Sequence, residues 1–472
     1  MDLDHKNILI VGLGASGLAA ARFSKNKGAQ VTVTDMADEK DLAERVAQIH
    51  QMGIRTELGR HDIKTFENAD LIVISPGVPH TILPIQHARK KGIPVWGEIE
   101  LASRFIKEPV IAVSGTNGKT TTTTLLGKIL QNSGFRTFVG GNIGNPLIDY
   151  IDQEETAEII VAEISSFQLD TIETFRPRVS VLLNITEDHM DRYPDFEAYT
   201  RSKARIFENQ GTDDIAVFSE SDPIVRSISI SIKARKTPFF HQSDAKDIAR
   251  TCAVMDDNDA GPIPVIRLYD PNGLQHRLEL AGPGLTGKHN LENAAAAALA
   301  ALAVGARMEA IQSTINDFQG LPHRLEFISI LNDVRFFNDS KATNVDAVVR
   351  ALESFKNSVV LIMGGRDKDG NFSVLKDRVH QHVKTLIVMG EARDKIKSEL
   401  ESACRERVQR ATSMEDAVFK AYQSSAPGDV VLLSPGCASF DMYTSYARRG
   451  EDFCCAVERL KKNKHASEIH DP

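Results

Sequence analysis

The chain lacks a basic excess: 56 Lys and Arg stand against 64 Asp and Glu over 472 residues, a formal net charge of −8. A mildly acidic chain with no basic tail is a poor nucleic-acid binder, so an anionic ligand must meet locally placed positive groups. Cysteine is scarce. Cys252, Cys404, Cys437, Cys454 and Cys455 are scattered apart from one adjacent pair, which is neither a disulfide framework nor a zinc spacing. Long apolar runs are missing too: the most apolar helix candidate, 293–304, is Ala-rich and far short of the roughly 20 residues that span a bilayer. Met1-Asp2-Leu3-Asp4 has neither the basic nor the apolar region of a signal peptide. A cytoplasmic protein with no membrane insertion is therefore expected. What is present, 42% apolar and 25% charged residues, is the balance of an ordinary globular protein, and the length suggests about three domains.

Short β-branched runs alternate with helical stretches throughout. Residues 7–12, 69–75, 110–114, 158–163, 179–184, 334–338, 359–364, 385–390 and 430–434 read as buried parallel strands flanked by Gly, Pro, Ser or Asp. The fold class expected is α/β in three domains. A Rossmann-like N-terminal domain would occupy 1–107, a central P-loop mononucleotide-binding α/β domain 108–320, and a Rossmann-like C-terminal domain 321–472. Lys107-Glu108-Pro109 and Phe318-Gln319-Gly320-Leu321-Pro322 supply the breaks. The stretch 219–281, richer in Asp, Pro and Ser, reads as a small β-rich insertion.

Gly12-Leu13-Gly14-Ala15-Ser16-Gly17 follows a strand and opens a helix, with Asp35 closing the next strand. Small residues there let backbone approach a pyrophosphate at a helix N-terminus; alone, the motif suits a dinucleotide site or a tight turn with no ligand. Gly115-Thr116-Asn117-Gly118-Lys119-Thr120 is more specific. Its loop amides would cradle phosphates, Lys119 would reach the terminal phosphates and the Thr120 hydroxyl would bind Mg²⁺, although Val113 stands where the first glycine of the standard pattern would be. Glu163 ends a strand where it could share that Mg²⁺, and His189 could hold a second metal or orient a substrate. Lys203 shares a helical face with Phe196, Tyr199, Ile206 and Phe207: either burial lowers the pKa of its amine and makes it available, or its stem covers apolar surface while the ammonium reaches water; with CO₂ added it would become a carbamate ligand for Mg²⁺. Asn290 reads as the N-cap of the Ala-rich helix. Pro322-His323-Arg324, 338–344, 364–368 and 434–439 place cations and hydroxyls along strand ends of the last domain.

These strings together resemble the Mur ligase family. The likeness runs in order through Gly12–Gly14, 75–79, 115–120, 141–144, 163–169, 187–193, 287–293, 321–324, 338–344, 433–439 and Arg449-Gly450-Glu451. It implies an ATP-dependent amide ligase of peptidoglycan precursor synthesis, most like the members joining D-glutamate to UDP-N-acetylmuramoyl-L-alanine, acting as a monomer. Gly14, Ser16, Asp35, Ser75, Pro76, Gly77, Asn142 and His189 would then meet the UDP-substrate. Met36 departs from the hydroxyl residue the family often carries after Asp35. ATP would be held by Gly115 to Thr121 on one side and by Asn293, Arg324 and Asp339 on the other. Two Mg²⁺ ions would use Thr120, Glu163, His189 and a carbamylated Lys203. Lys119, His189, Lys203 and Lys341 would be the catalytic groups, and Thr343, Lys368, Ser439 and Tyr446 the amino-acid pocket. Competing readings are a plain ATPase, a dehydrogenase built on the first motif, a ligase adding L-alanine one step earlier, and a folylpolyglutamate-type ligase.

Overall fold

The computed structural model describes every residue except 154–155, 245–249, 257–262, 283, 286 and 469–472, and describes only the backbone of 464–468. The fold is α/β and is built on three sheets. The first contains β1 (Asn7–Val11), β2 (Gln30–Asp35), β3 (Arg55–Leu58), β4 (Leu71–Ile74) and β5 (Val95–Gly97), ordered 3-2-1-4-5. All its pairs are parallel. β1 and β4 are apolar runs buried along almost their whole length, as expected for strands covered on both faces.

The second sheet contains β6 (Val110–Ser114), β7 (Thr137–Gly141), β8 (Ile159–Glu163), β9 (Val179–Leu182), β10 (Ile215–Ser219), β11 (Arg235–His241), β12 (Cys252–Asp256), β13 (Val265–Asp270) and β14 (Gly273–Glu279). Their order is 14-13-12-11-10-9-6-8-7. Strands β6 to β12 run parallel, and the β13–β14 hairpin adds antiparallel to β12. The stretch read as a small β-rich insertion carries β11 to β14, and these strands extend this sheet. Phe239, Phe240 and Val254 are fully buried while Ile230 and Leu274 are exposed, and parallel pairing with β10 lets β11 share the sheet's core. The third sheet contains β15 (Glu326–Leu331), β16 (Val334–Asn338), β17 (Val359–Gly364), β18 (Val383–Met389), β19 (Arg407–Arg410) and β20 (Val430–Leu433), ordered 15-16-20-17-18-19. Only β15 is antiparallel to its neighbour.

The chain divides into two compact units. One comprises Met1–Ile185, Glu197–Ala281 and Leu291–Asn316; the other comprises Thr186–Phe196, Gly282–Asn290 and Asp317–Pro472. Within the first unit, carboxylates of the helix Glu98–Ser103 bind the second sheet's connections. Glu100 accepts backbone N–H bonds from residues 173, 174 and 175 at 2.9–3.1 Å, and Glu98 accepts one from Ile148 at 2.6 Å. The Ala-rich helix spans Lys288–Leu302, so Asn290 lies in its first turn and is not its N-cap. Ala294 to Ala298 are completely buried, because a methyl side chain lets a helix lie close against its neighbours. Among the described residues no helix is long and apolar enough to cross a membrane.

Candidate active site

At the carboxyl end of β1 the three glycines have different reasons to be glycine. Gly12 holds φ +92°, and a Cβ on Gly17 would lie 1.9 Å from the Gly12 carbonyl oxygen, so both are required by the turn itself. A Cβ on Gly14 would meet nothing within 4 Å. Gly14 therefore opens space in front of the helix Ala15–Asn26, whose first N–H groups have no side-chain cap, an arrangement that suits an anion. Asp35 shapes this loop by accepting from Leu13 N at 2.7 Å and Ala37 N at 2.9 Å. Ser75 is buried and donates to the Gly12 carbonyl at 2.8 Å. Ser16, Pro76 and Gly77 remain at least partly exposed around the opening, and Met36 is exposed.

The P-loop follows β6, between the carboxyl ends of β8 and β9. A Cβ on Gly115, which holds φ +150°, would lie 3.0 Å from Leu183 Cβ, and Gly118 is left-handed at φ +87°. Asn184 braces the loop from β9: its Oδ1 accepts from Asn117 N at 2.8 Å and its Nδ2 donates to the Asn117 carbonyl at 3.1 Å. Thr116 Oγ1 and the Tyr199 hydroxyl are hydrogen-bonded at 3.0 Å. Lys119 Nζ donates to the carbonyls of Gly115 and Thr116 at 2.8 and 2.9 Å. Lys203, with 2% of its surface exposed, donates to the same Gly115 carbonyl at 2.8 Å and lies 4.8 Å from the Tyr199 ring centroid. Of the two readings of Lys203 the structure has the buried one, with Tyr199, Ile206 and Phe207 buried and Phe196 partly exposed. Two ammonium groups thus converge on one carbonyl, concentrating positive potential beside loop amides. Thr120 is partly exposed at the start of the helix, and Thr121 is buried.

Glu163 pairs in register with Val113, the residue two before the loop. It is 2% exposed; Oε1 accepts from Asn142 Nδ2 at 2.8 Å, while Oε2 is buried with no hydrogen-bond partner. An orphaned buried carboxylate oxygen is costly unless a cation meets it, so the residue fits a hard divalent ion with oxygen ligands. Asn293 was expected across the nucleotide from the P-loop. It belongs instead to the P-loop's own unit: a Cβ on Gly118 would lie 2.2 Å from Asn293 Oδ1, and Thr122 donates to that oxygen at 3.3 Å.

In the second unit, Asp188 organises a polar cluster. Lys368 Nζ donates to its Oδ1 at 2.7 Å, Asn344 Nδ2 donates to its Oδ2 at 3.1 Å, and His189 Nε2 stands 3.7 Å from Oδ2. Burial would raise the Asp188 carboxyl, but the charges of Lys368 and His189 with these hydrogen bonds hold it well below the usual carboxylate range. His189 itself has φ +58°. Asp188, Thr343, Asn344 and Lys368 border a cavity of about 320 Å³, together with Asp346 and Asp367. Ser439 and Tyr446 are not among its lining residues: Ser439 Oγ is buried with no partner, and the Tyr446 ring lies under Lys341 Nζ at 3.7 Å. Asp339 is buried, accepting from Ser434 Oγ at 2.9 Å and Leu325 N at 3.2 Å. Burial pushes its carboxyl up to about 7 against the opposing pull of Ser434, Leu325 and the Arg324 charge.

Family models match in chain order: the Mur ligase MurD-like N-terminal domain over 6–97, the Mur ligase middle domain over 113–301, and the Mur ligase glutamate ligase domain over 323–437. The chain belongs to the Mur ligase family. Among curated relatives, a UDP-N-acetylmuramoylalanine--D-glutamate ligase of Desulfosudis oleivorans is 49% identical over 466 residues, covering 99% of each chain. One of Desulfatibacillum aliphaticivorans is 52% identical over 462 residues, 98% of this chain and 100% of that relative. The solved structure of a MurF ligase from Thermotoga maritima in complex with ADP superposes with TM-score 0.61 at 17% identity, over 98% of this chain and 96% of that one. A UDP-N-acetylmuramate-alanine ligase of the same organism gives 0.59 at 20%, over 97% and 100%. The two structures share the Mur ligase fold with this chain.

Asn184, Asp188 and Asn344 escaped the sequence reading as individual site residues. Each is a polar residue at or just beyond a strand end, the position where open α/β sheets bind ligands, and that was the available signal.

Proposed function

We propose that this Mur ligase joins D-glutamate to UDP-N-acetylmuramoyl-L-alanine at the expense of ATP, a step of peptidoglycan precursor synthesis. The observation that carries the substrates is the 49–52% identity, over nearly the whole chain, to ligases of that name. The geometry supports the chemistry. A carboxylate acylates poorly because oxide is its leaving group, so the alanyl carboxylate first takes the γ-phosphoryl group of ATP, giving an acyl phosphate and ADP. The unprotonated amine of D-glutamate then attacks the acyl carbon. Phosphate leaves the tetrahedral intermediate and the nitrogen loses a proton.

Each step has residues suited to it. Loop amides from Gly115 to Thr121 hold the phosphates, and Lys119 exchanges its two carbonyl partners for phosphate oxygens when nucleotide arrives. As a free ammonium, Lys203 holds the Gly115 carbonyl and keeps positive charge under the loop. Thr120 and the unpartnered Glu163 oxygen would hold Mg²⁺, which when bound offsets the phosphate charge. A second Mg²⁺ would be served by His189 and by Lys203 only as its carbamate, since the free amine is a donor. Where His189 holds no metal, its place beside Asp188 suits it instead to take the amine proton. Asn293, Arg324 and Asp339 are assigned to ATP, Gly14, Ser16, Asp35, Ser75 to Gly77 and Asn142 to the UDP-substrate, and Thr343, Lys368, Ser439 and Tyr446, with Lys341, to the amino acid. Lys119→Ala tests the division of labour: ligation should fall by about 10³-fold or more, in line with loss of a main electrostatic contact, while calorimetry still finds UDP-N-acetylmuramoyl-L-alanine bound. Retained turnover would overturn the P-loop assignment.

A further inference from the structure

The guanidinium of Arg449, on the helix Tyr446–Glu468, is 2% exposed and satisfies all five of its N–H groups with neutral oxygens. Nε donates to Ser340 Oγ at 3.0 Å. One terminal nitrogen donates to the Gly364 and Ala438 carbonyls at 3.3 Å each. The other donates to the carbonyls of Ser340 at 2.9 Å and Cys437 at 3.1 Å. Ser340 Oγ in turn donates to the Tyr446 carbonyl at 2.8 Å. Burying a charge against neutral acceptors alone is expensive; burial draws the guanidinium down to about 10, which leaves it charged at neutral pH.

The three loops it ties leave the carboxyl ends of β16, β20 and β17, adjacent strands of one sheet. Ser340 is followed by Lys341, Ala438 by Ser439, and Gly364 begins the turn that reaches Lys368. The Gly364 and Ala438 loops are also joined by a backbone bridge between Arg366 and Ala438 at 2.9 and 3.0 Å. Gly450 lets the same helix approach closely: a Cβ there would lie 2.2 Å from His323 Nδ1.

We infer that Arg449 is a positioning residue for the amino-acid substrate: it fixes, through backbone carbonyls, the mutual placement of the loops carrying Lys341, Lys368 and Ser439. No charge reaches the substrate from Arg449 itself. The inference rests on the assignment of those three side chains to the amino-acid site, and its test separates the two.

The variants are Arg449→Lys, which keeps the charge and loses the fork, and the milder Ser340→Ala, which removes one acceptor. Full-length proteins are assayed for phosphate release from ATP with UDP-N-acetylmuramoyl-L-alanine and varied D-glutamate, alongside thermal unfolding. Misplacing a pocket by about an ångström costs on the order of 10²-fold. Arg449→Lys is expected to raise the KM for D-glutamate about tenfold or more, and Ser340→Ala by a smaller factor in the same direction, with the KM for ATP within about twofold of the parent. Wild-type protein with no D-glutamate-dependent release would overturn the functional reading. Active wild type whose folded variants keep the parental KM for D-glutamate, or lose ATP and D-glutamate affinity equally, would overturn the positioning role alone. If Arg449→Lys does not fold, Ser340→Ala decides by the same criterion.

Discussion

Buried carboxylates set how individual residues of this chain respond to pH. Burial pushes Glu98 up to about 7 from an ordinary 4.5, although the Ile148 N–H opposes it. The folded protein therefore binds this proton more tightly than the unfolded chain does. Its contribution to stability is fully present below pH 4.5 and is lost as pH rises through 7. Glu98→Gln removes that dependence while Gln Oε1 can still accept from Ile148. Relative to wild type, the variant should be more stable at pH 8 than at pH 5, by thermal or urea unfolding at the two values; an equal difference at both would refute the assignment. Asp188 works in the opposite sense, because its Lys368 and His189 partners stabilise the charged form. The cluster it anchors was hidden from the sequence: Lys368 lies 180 positions and Asn344 156 positions from Asp188, and no spacing rule joins residues that far apart.

Elements of the fold divide glycines into those the backbone needs and those it does not. Gly17 belongs to the first group, with a Cβ 1.9 Å from the Gly12 carbonyl oxygen. Gly14 belongs to the second, since its φ of −77° suits any residue; open space lies in front of it, where the proposed UDP-substrate would sit. Gly14→Ala should cost no more than about 1 kcal/mol of stability, the difference between Gly and Ala at an N-cap, yet weaken binding of the UDP-substrate. Gly17→Ala should lower the unfolding midpoint sharply. Calorimetric titration and thermal melts on the same two proteins check this, and normal substrate affinity in Gly14→Ala would contradict it. The glycine string, the P-loop and the buried face of Lys203 were legible because each is local, fixed by a turn or by helical period. The first turn of the Ala-rich helix was misjudged because Asn290 looks like a cap, whereas the helix begins at Lys288. The β-rich character of 219–281 was legible in its composition, but composition could not say that its strands would join the central sheet.

The whole molecule sets a Gly-rich anion turn, a phosphate loop carrying two converging ammonium groups and a lysine–aspartate cavity on three sheets of one chain. Each alone suits several functions; a plain ATPase would use the second and a dehydrogenase the first. In the proposed reaction, sequential activation and amide formation would engage all three, and strict dependence on both the nucleotide-linked carboxylate and the incoming amine distinguishes it from those readings. Phosphate release from ATP and Mg²⁺ should therefore be measured with UDP-N-acetylmuramoyl-L-alanine while D-glutamate, L-glutamate or L-alanine is added in turn, the product being weighed by mass spectrometry. The account predicts release with D-glutamate and the mass of the D-glutamyl amide, with neither other amino acid replacing it. Release independent of any amino acid, or ligation of L-alanine to UDP-N-acetylmuramate in place of this reaction, would contradict it.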